Sequence, residues 1–103
     1  MDKEILKLKN GAKIIEAEEY LKDKNHGFTG RHLIRSMEEL KKYGAKMYIT
    51  NIVDIVSSKQ ELAFTGIVDA REGNVKEILK SLVTTYPLYL EEPIENVFKL
   101  YFD

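Results

Sequence analysis

The sequence predicts an α+β domain with a small antiparallel sheet and two helices on one of its faces. Alternating apolar and polar residues over 47–56 and 61–69 are typical of two strands joined by a turn. Apolar residues at helical spacing before Gly44 and after Asn74 indicate two amphipathic helices. A length of 103 residues with 44% hydrophobic content suits one domain, residues 1–103, with one core.

The first 24 residues allow two interpretations. Asn10-Gly11 is a strong signal for a type I′ turn, because both central residues of that turn need a positive φ. It predicts a hairpin with arms at 5–9 and 12–16, followed by a helix over 16–24. In the alternative, apolar residues at helical spacing make 13–24 one longer helix.

The next helix is predicted from about residue 30 to residue 43. Thr29 is a suitable N-cap, because its hydroxyl can accept from a free backbone N–H group of the first turn. Lys41 and Lys42 suit the negative C-terminal end of the helix dipole. Gly44 suits the left-handed residue that often ends a helix.

The second half of the chain continues the same pattern. Strands are predicted over 47–56 and 61–69, with a turn at Ser57 to Gln60 between them. Asn74 with Glu77 three residues later resembles a capping box and predicts the start of the second helix, which Pro87 ends. The apolar stripe of this helix is predicted to consist of Val75, Ile78, Leu79, Leu82, Val83 and Tyr86.

Residues after Pro93 complete the predicted sheet. Ile94, Phe98, Leu100 and Phe102 can share one face of a last strand, and a short C-terminal helix starting at Pro93 is the alternative. The resulting order, βαββαβ, is that of ferredoxin-like domains. As an alternative fold, the segment 31–44 resembles the recognition helix of a winged-helix protein, with 47–69 as its wing.

The composition excludes several kinds of site and indicates a compartment. The chain has no cysteine, so disulfides, thiolate nucleophiles and zinc ribbons are excluded. Its two histidines lack the spacing of metal ligands, and we expect no metal and no cofactor. The N-terminus carries no apolar signal segment, and the longest uncharged run, 81–90, is too short to span a membrane. A soluble, cytoplasmic protein without a membrane partner is therefore expected.

A loop rich in glycine and polar residues precedes the first long helix. Backbone N–H groups and the helix dipole favour anions at such a position, and an arginine can bind a phosphate through two hydrogen bonds. The first half of the chain, 1–50, carries a net charge of +3, and 51–103 carries −4. These features predict an anion-binding or nucleic-acid-binding site formed by Lys24, His26, Thr29, Arg31, His32 and Arg35.

No catalytic constellation is recognisable. A histidine base needs a nucleophile and an orienting carboxylate, and no nucleophile elbow occurs in the sequence. The acid pairs, such as Glu38-Glu39, are adjacent in sequence, so their side chains diverge in a helix or strand and suit solvated faces. A non-enzymatic protein is therefore the favoured hypothesis.

An apolar, tyrosine-containing stretch follows the second helix and is the candidate contact surface. Tyrosine is frequent at interface hot spots because it combines a large apolar area with a polar tip. The competing interpretation is that the stretch folds over the end of its own core. The residues of this tyrosine loop are Tyr86, Leu88, Tyr89 and Leu90.

Three functional hypotheses follow from these observations. The first is a small binding or regulatory protein that acts through contact with another protein or with itself, such as an inhibitor, an immunity protein or a mobile-element accessory protein. The second is a nucleic-acid-binding regulator that uses the basic residues from Lys24 to Lys42. The third is a small ligand-binding or anion-binding protein that uses the loop at 24–32.

Overall fold

A computed structural model of the chain describes residues 2–9, 14–22, 38–55, 60–85 and 90–101. It confirms the α+β class, with one antiparallel sheet and helices. The helices are α1 (Lys3–Leu6), α2 (Ala17–Lys22), α3, of which residues 38–41 are described, and α4 (Val75–Thr85). The strands are β1 (Ile14–Glu16), β2 (Lys46–Ile55), β3 (Gln60–Asp69), β4 (Leu90–Ile94) and β5 (Val97–Tyr101).

The sheet has the strand order β1-β2-β3-β5-β4. Every pairing among the described strands is antiparallel, whereas a βαβ unit contains a parallel pair joined by a helix. The ferredoxin-like order is therefore not confirmed. The winged-helix alternative treated the hairpin of β2 and β3 as a wing, but this hairpin lies at the centre of the sheet.

The main core lies between one face of the sheet and the helices α2, α3 and α4. Alternate residues of β2, β3 and β5 point to this face, because successive side chains of a strand lie on opposite sides. The helices α2 and α4 each contribute two buried side chains at helical spacing, and the described part of α3 contributes one. The core contains Met47, Ile49, Val68, Phe98 and Leu100 from the sheet and Ala17, Tyr20, Leu40, Ile78 and Leu82 from the helices.

A second core covers the opposite face of the sheet. It consists of Ile5 from α1 with Tyr48, Ile67 and Val97 from three neighbouring strands, and all four residues are buried. The sequence predicted two helices on one face only. The fold instead places α1 on the other face, so the central strands are covered on both sides at 47–49 and 67–68.

The predicted strand at 5–9 is wrong, because α1 is a helix. The Asp2 carboxylate caps it by accepting a hydrogen bond from the Glu4 backbone N–H at 2.8 Å. Ile5 is buried and Leu8 is half-buried, whereas Leu6 is 44% exposed. Burial that recurs after three residues is typical of a helix, whereas a strand with one buried face would bury every second residue.

The strand predicted at 12–16 and the helix that follows it correspond to β1 and α2, so the single helix proposed over 13–24 is wrong. The Asn10-Gly11 turn lies outside the described residues.

The C-terminal strand is also different from the prediction. Instead of one strand after Pro93, β4 and β5 form a hairpin whose turn contains Asn96 at φ 62°. The Glu92 carboxylate closes this turn by accepting from the Asn96 N–H at 2.8 Å. Pro93 is tolerated because β4 is an edge strand, and the pairing is irregular between Glu91 and Ile94. The alternative C-terminal helix is wrong.

The predicted second helix is confirmed by α4. The Asn74 side chain accepts from the Glu77 N–H at 3.4 Å, and the Asn74 carbonyl accepts from the Ile78 N–H at 3.0 Å. Among the described residues of the predicted apolar stripe, Val83 does not belong to the core, because it is 58% exposed, and Tyr86 lies outside the described residues. Val83 directly follows the buried Leu82, so it lies on a different side of the helix.

Two glycines bring the turn after α3 against the start of α4. Gly44 has φ 88°, as expected for a left-handed residue after a helix. The Tyr43 carbonyl accepts a hydrogen bond from the Asn74 N–H at 2.8 Å. A Cβ atom at Gly73 would lie 2.5 Å from the Tyr43 carbonyl oxygen and 2.9 Å from the Gly44 carbonyl carbon. This backbone contact therefore requires glycine at position 73.

We expect Gly73→Ala to lower the free energy of unfolding by about 1–3 kcal/mol, because neither backbone atom can move without disturbing the Tyr43–Asn74 hydrogen bond. Urea unfolding measures the change. Glu72→Ala is the matched control, since Glu72 is exposed, and its stability should stay within about 0.5 kcal/mol of the wild type. Equal stability of Gly73→Ala and Glu72→Ala would contradict the close approach.

Candidate functional site

A charged cleft lies at the end of the sheet where β2 begins and β3 ends. It has a volume of about 520 Å³, and a neighbouring cavity of about 290 Å³ shares Glu16, Lys46 and Tyr48 with it. Four carboxylates and two cationic side chains line the cleft, which gives it a net charge of −2. The lining residues of the charged cleft are Asp2, Glu16, Gly44, Lys46, Tyr48, Asp69, Arg71 and Glu72.

Four elements position these side chains. Asp2 is the N-cap of α1, and Glu16 ends β1. Lys46 begins β2 and is paired in register with Asp69, the last residue of β3. Arg71 lies in the turn that follows β3, so its side chain can reach back to the end of that strand. Residues far apart in the chain therefore meet at one end of the sheet.

Arg71 connects three carboxylates at this end of the sheet. Its Nε donates to Asp69 Oδ1 at 2.9 Å and its Nη2 donates to Asp69 Oδ2 at 2.8 Å, so the pair is bidentate. The same Nη2 donates to Asp2 Oδ2 at 2.8 Å, and Nη1 donates to Glu4 Oε2 at 2.7 Å. Since Asp2 and Glu4 belong to α1 and its cap, Arg71 ties this helix to the sheet.

The same contacts shift the acid–base equilibria of the cluster. The hydrogen bond from the Glu4 backbone N–H, together with Arg71, lowers the pKa of Asp2. Hydrogen bonds from Arg71 lower the pKa of Asp69, although its partial burial opposes the shift. Asp69 and then Asp2 raise the pKa of Arg71 further above its ordinary value. All three groups are therefore charged at neutral pH.

Tyr48 lies between the second core and the charged cleft. The residue is only 4% exposed and packs with Ile67, yet it lines both cavities. Burial raises the pKa of its hydroxyl, and the negative charges of Asp69, Glu16 and Asp2 raise it further. No described residue forms a hydrogen bond with this hydroxyl. It is thus a neutral donor and acceptor that is open to water at the wall of the cleft.

Three charged residues of the cleft have no ion-pair partner among the residues that the structure describes. These are Glu16 and Lys46, which line both cavities, and Glu72. The Arg71 cluster, in contrast, is internally paired. The unpaired groups of the cleft are therefore available to a ligand without breaking the contacts that hold α1.

The predicted anion or nucleic-acid site lies outside the described residues, since Lys24, His26, Thr29, Arg31, His32 and Arg35 all fall within 23–37. Lys41 and Lys42, which the second hypothesis also used, are described. Lys41 Nζ donates to Glu18 Oε1 of α2 at 2.6 Å, which lowers the pKa of Glu18 and raises that of Lys41. Lys42 pairs with Glu39 at 3.4 Å. Both lysines are exposed and have acidic partners.

Leu90 is the one described residue of the tyrosine loop, because 86–89 lie outside the described ranges. It begins β4, is paired in register with Leu100, and packs half-buried against the main core. A substitution at Leu90 would therefore act on stability. An interface in this loop is better tested by a substitution at Tyr89.

The sequence interpretation did not identify Arg71 and Tyr48. Arg71 is one of only three arginines, and it follows a strand that ends in Asp69, which is a local sign of an ion pair. Nothing local indicated Asp2 and Glu4 as partners, since they lie 69 and 67 residues away. The sequence placed Tyr48 correctly in a strand. Its packing with Ile5 could not be predicted, because the segment that forms α1 was expected to be a strand.

No family model, curated protein or solved structure matches this chain. Among the described residues, no group of histidine or acidic side chains is arranged to hold a metal ion. None of the described helices has the length and apolar character needed to cross a membrane.

We expect Arg71→Met to lower the free energy of unfolding by about 1 kcal/mol at pH 7, because the cluster is partly exposed. The folded pKa values of Asp2 and Asp69 lie below an unfolded value of about 3.9. The stabilisation that Asp2 and Asp69 contribute to the folded state is complete above that pH. It is lost as the pH falls through their pKa values in the folded state. The difference in free energy of unfolding between wild type and Arg71→Met should therefore shrink from pH 7 to pH 3.

Urea unfolding across this pH range measures the difference. Lys42→Met is the control, because it removes an exposed pair with Glu39 and should change stability by less than about 0.5 kcal/mol at any of these pH values. A difference between wild type and Arg71→Met that stays constant down to pH 3 would contradict the role assigned to the two aspartates.

Proposed function

We propose that the protein is a small, non-enzymatic binding or regulatory protein that acts through contact with another protein or with a second copy of itself. Inhibitors, immunity proteins and mobile-element accessory proteins are of this type. The observation that carries the proposal is the shape of the central hairpin, which extends beyond the other strands of the sheet as far as the structure describes them.

The extension follows from the strand registers. β1 pairs with β2 at 48–50, and β5 pairs with β3 at 65–69. Among the described strands, residues 51–55 of β2 and 60–64 of β3 pair only with each other. We call this two-stranded part the arm. Five residues at about 3.3 Å each give it a length of roughly 16 Å, and the long axis of the molecule measures 41 Å.

Six of the ten residues of the arm are apolar, and three of these are β-branched. A two-stranded hairpin is marginally stable in water unless further surface covers it. In this proposal the apolar side chains of the arm are buried against a partner, which stabilises by roughly 25 cal/mol per Å² of apolar area. The apolar residues of the arm are Ile52, Val53, Ile55, Leu62, Ala63 and Phe64.

The β4 edge of the sheet has the features that prevent association. β4 is short and contains Glu91, Glu92 and Pro93, and its pairing with β5 is irregular. Charges, proline and irregular pairing are common means of protecting an edge strand. Strand addition is therefore disfavoured at β4, which leaves the arm as the better candidate for contact.

The distribution of charge favours a protein partner over nucleic acid. The chain carries 16 lysines and arginines against 17 acidic residues, a net charge of −1, so it has no overall positive charge to attract nucleic acid. Phosphate contacts need unpaired cationic groups, and Lys41 and Lys42 both have acidic partners. Nucleic-acid binding stays the second hypothesis and would depend on Lys24, Arg31, His32 and Arg35.

Two double variants of the arm test the proposal. Val53 and Leu62 form one register pair, and Ile52 and Ala63 form the adjacent pair. Consecutive residues of a strand alternate between its faces, so the two pairs belong to opposite faces of the arm. Each double variant replaces one pair by threonine, which keeps a high β propensity. We expect at least one double variant to reduce association about tenfold or more, with its melting temperature close to that of the wild type.

Sedimentation measures self-association, and quantitative mass spectrometry of pull-downs from the native host measures a partner. If both variants associate like the wild type, the arm is not the contact surface. If the variants instead lose about 2–5 kcal/mol of stability with association unchanged, the arm closes the protein's own core. Retention on DNA or RNA that falls steeply with salt, and is abolished by Arg31→Ala with Arg35→Ala, would favour the nucleic-acid hypothesis.

A further inference from the structure

The helix α1 covers the second core with very few residues. It has four residues, and Ile5 is the only one of them that is buried. Ile5 packs with Tyr48, Ile67 and Val97, which belong to three neighbouring strands. Leu8, which follows the helix, is half-buried against the same core. The attachment of α1 through apolar contacts is therefore small.

The charged contacts of α1 are open to solvent. Arg71 binds Asp2 at 2.8 Å and Glu4 at 2.7 Å, and these are the ion pairs that join the α1 segment to the sheet among the described residues. The side chains of Arg71, Asp2 and Glu4 are 25%, 42% and 56% exposed. Dissolved salt weakens ion pairs with this degree of exposure.

The backbone of α1 is not hydrogen-bonded to the sheet in the part of the chain that the structure describes. The Leu6 N–H donates to the Asp2 carbonyl and the Leu8 N–H donates to the Ile5 carbonyl, so both bonds stay within the segment. Release of α1 therefore breaks two ion pairs and uncovers Ile5, but it breaks no backbone hydrogen bond of the described strands.

We propose that α1 is a strap that opens from the sheet while the rest of the fold stays intact, and that the ion pairs of Arg71 with Asp2 and Glu4 set how often it opens. A helix of four residues is not stable alone, so the segment loses its structure when it leaves the sheet. Segments with few buried contacts open at a lower free energy than the whole domain.

The sheet keeps its structure when the strap opens, because its other face is closed independently. The strands β2, β3 and β5 remain paired with one another, and α2, α3 and α4 still pack on the main core. Opening uncovers the apolar side chains of Tyr48, Ile67 and Val97. The strap thus makes access to this apolar face depend on ionic strength.

This inference goes beyond the proposed function, because the strap and the arm are different parts of the fold. The arm is formed by residues 51–55 and 60–64, whereas the strap covers residues 48, 67 and 97. Failure of either proposal leaves the other intact.

Single cysteines measure the opening, because the chain has no cysteine of its own. Val97→Cys places a thiol in the second core and Val68→Cys places one in the main core, and both valines are 0% exposed. Val83→Cys, at a position that is 58% exposed, calibrates the rate of an open thiol. The probe is iodoacetamide, which is uncharged. Urea unfolding of each variant gives the labelling rate that global unfolding alone would allow.

We expect the thiol of Val97→Cys to react at least about tenfold faster than global unfolding allows, and the thiol of Val68→Cys to react at the global rate. Ile67→Cys is a second test of the same face, because Ile67 is adjacent to Val68 on β3 but belongs to the second core. It should react like Val97→Cys. Reaction of both second-core thiols at the global rate would overturn the strap.

The role of Arg71 is tested in the Val97→Cys background. Arg71→Met should raise the labelling rate about 5-fold. Sodium chloride raised from about 20 mM to about 500 mM should increase the rate about 2- to 5-fold when Arg71 is present, and by less than about 1.5-fold in Arg71→Met, after correction by Val83→Cys. A rate that neither Arg71→Met nor salt changes would overturn the assignment of the ion pairs as the contacts that set the opening.

Discussion

The Arg71 guanidinium forms the interaction on which the second face of the domain depends. It binds Asp69 at the end of β3 and two acids of the α1 segment at 2.7–2.9 Å. A helix of four residues is too short to be stable alone. The ion pairs and the burial of Ile5 therefore hold α1 in place together. Without α1, Tyr48, Ile67 and Val97 would lose their cover, and the cleft would lose Asp2 from its wall.

The opposite face is organised by packing and by backbone contact rather than by charge. The helices α2, α3 and α4 cover it, and the turn after α3 meets the start of α4 through Gly44 and Gly73. Lys41 and Glu18 add an exposed ion pair between α3 and α2. The two faces thus differ in how they are closed, and the arm that we connect with binding is part of the central hairpin between them.

The sequence predicted the elements whose signals are local. The central hairpin followed from alternation, and α4 followed from its apolar spacing and the Asn74 cap. Features set by distant contacts could not be predicted in this way. The segment of α1 is too short to show a helical period, so the turn signal at Asn10-Gly11 favoured a strand. Pro93 argued against a strand, although an edge position permits it. The Arg71 cluster joins residues almost 70 positions apart, which no local pattern indicates.

Native-state hydrogen exchange in Arg71→Met tests most directly whether Arg71 holds α1 on the sheet. In the wild type the Leu6 and Leu8 amides donate to Asp2 and Ile5 carbonyls at 3.1 and 3.0 Å. We expect their protection to fall close to that of an unstructured peptide in the variant, while the Ile78 amide of α4 keeps its protection. Unchanged protection of Leu6 and Leu8, or an equal loss at Ile78, would contradict this account.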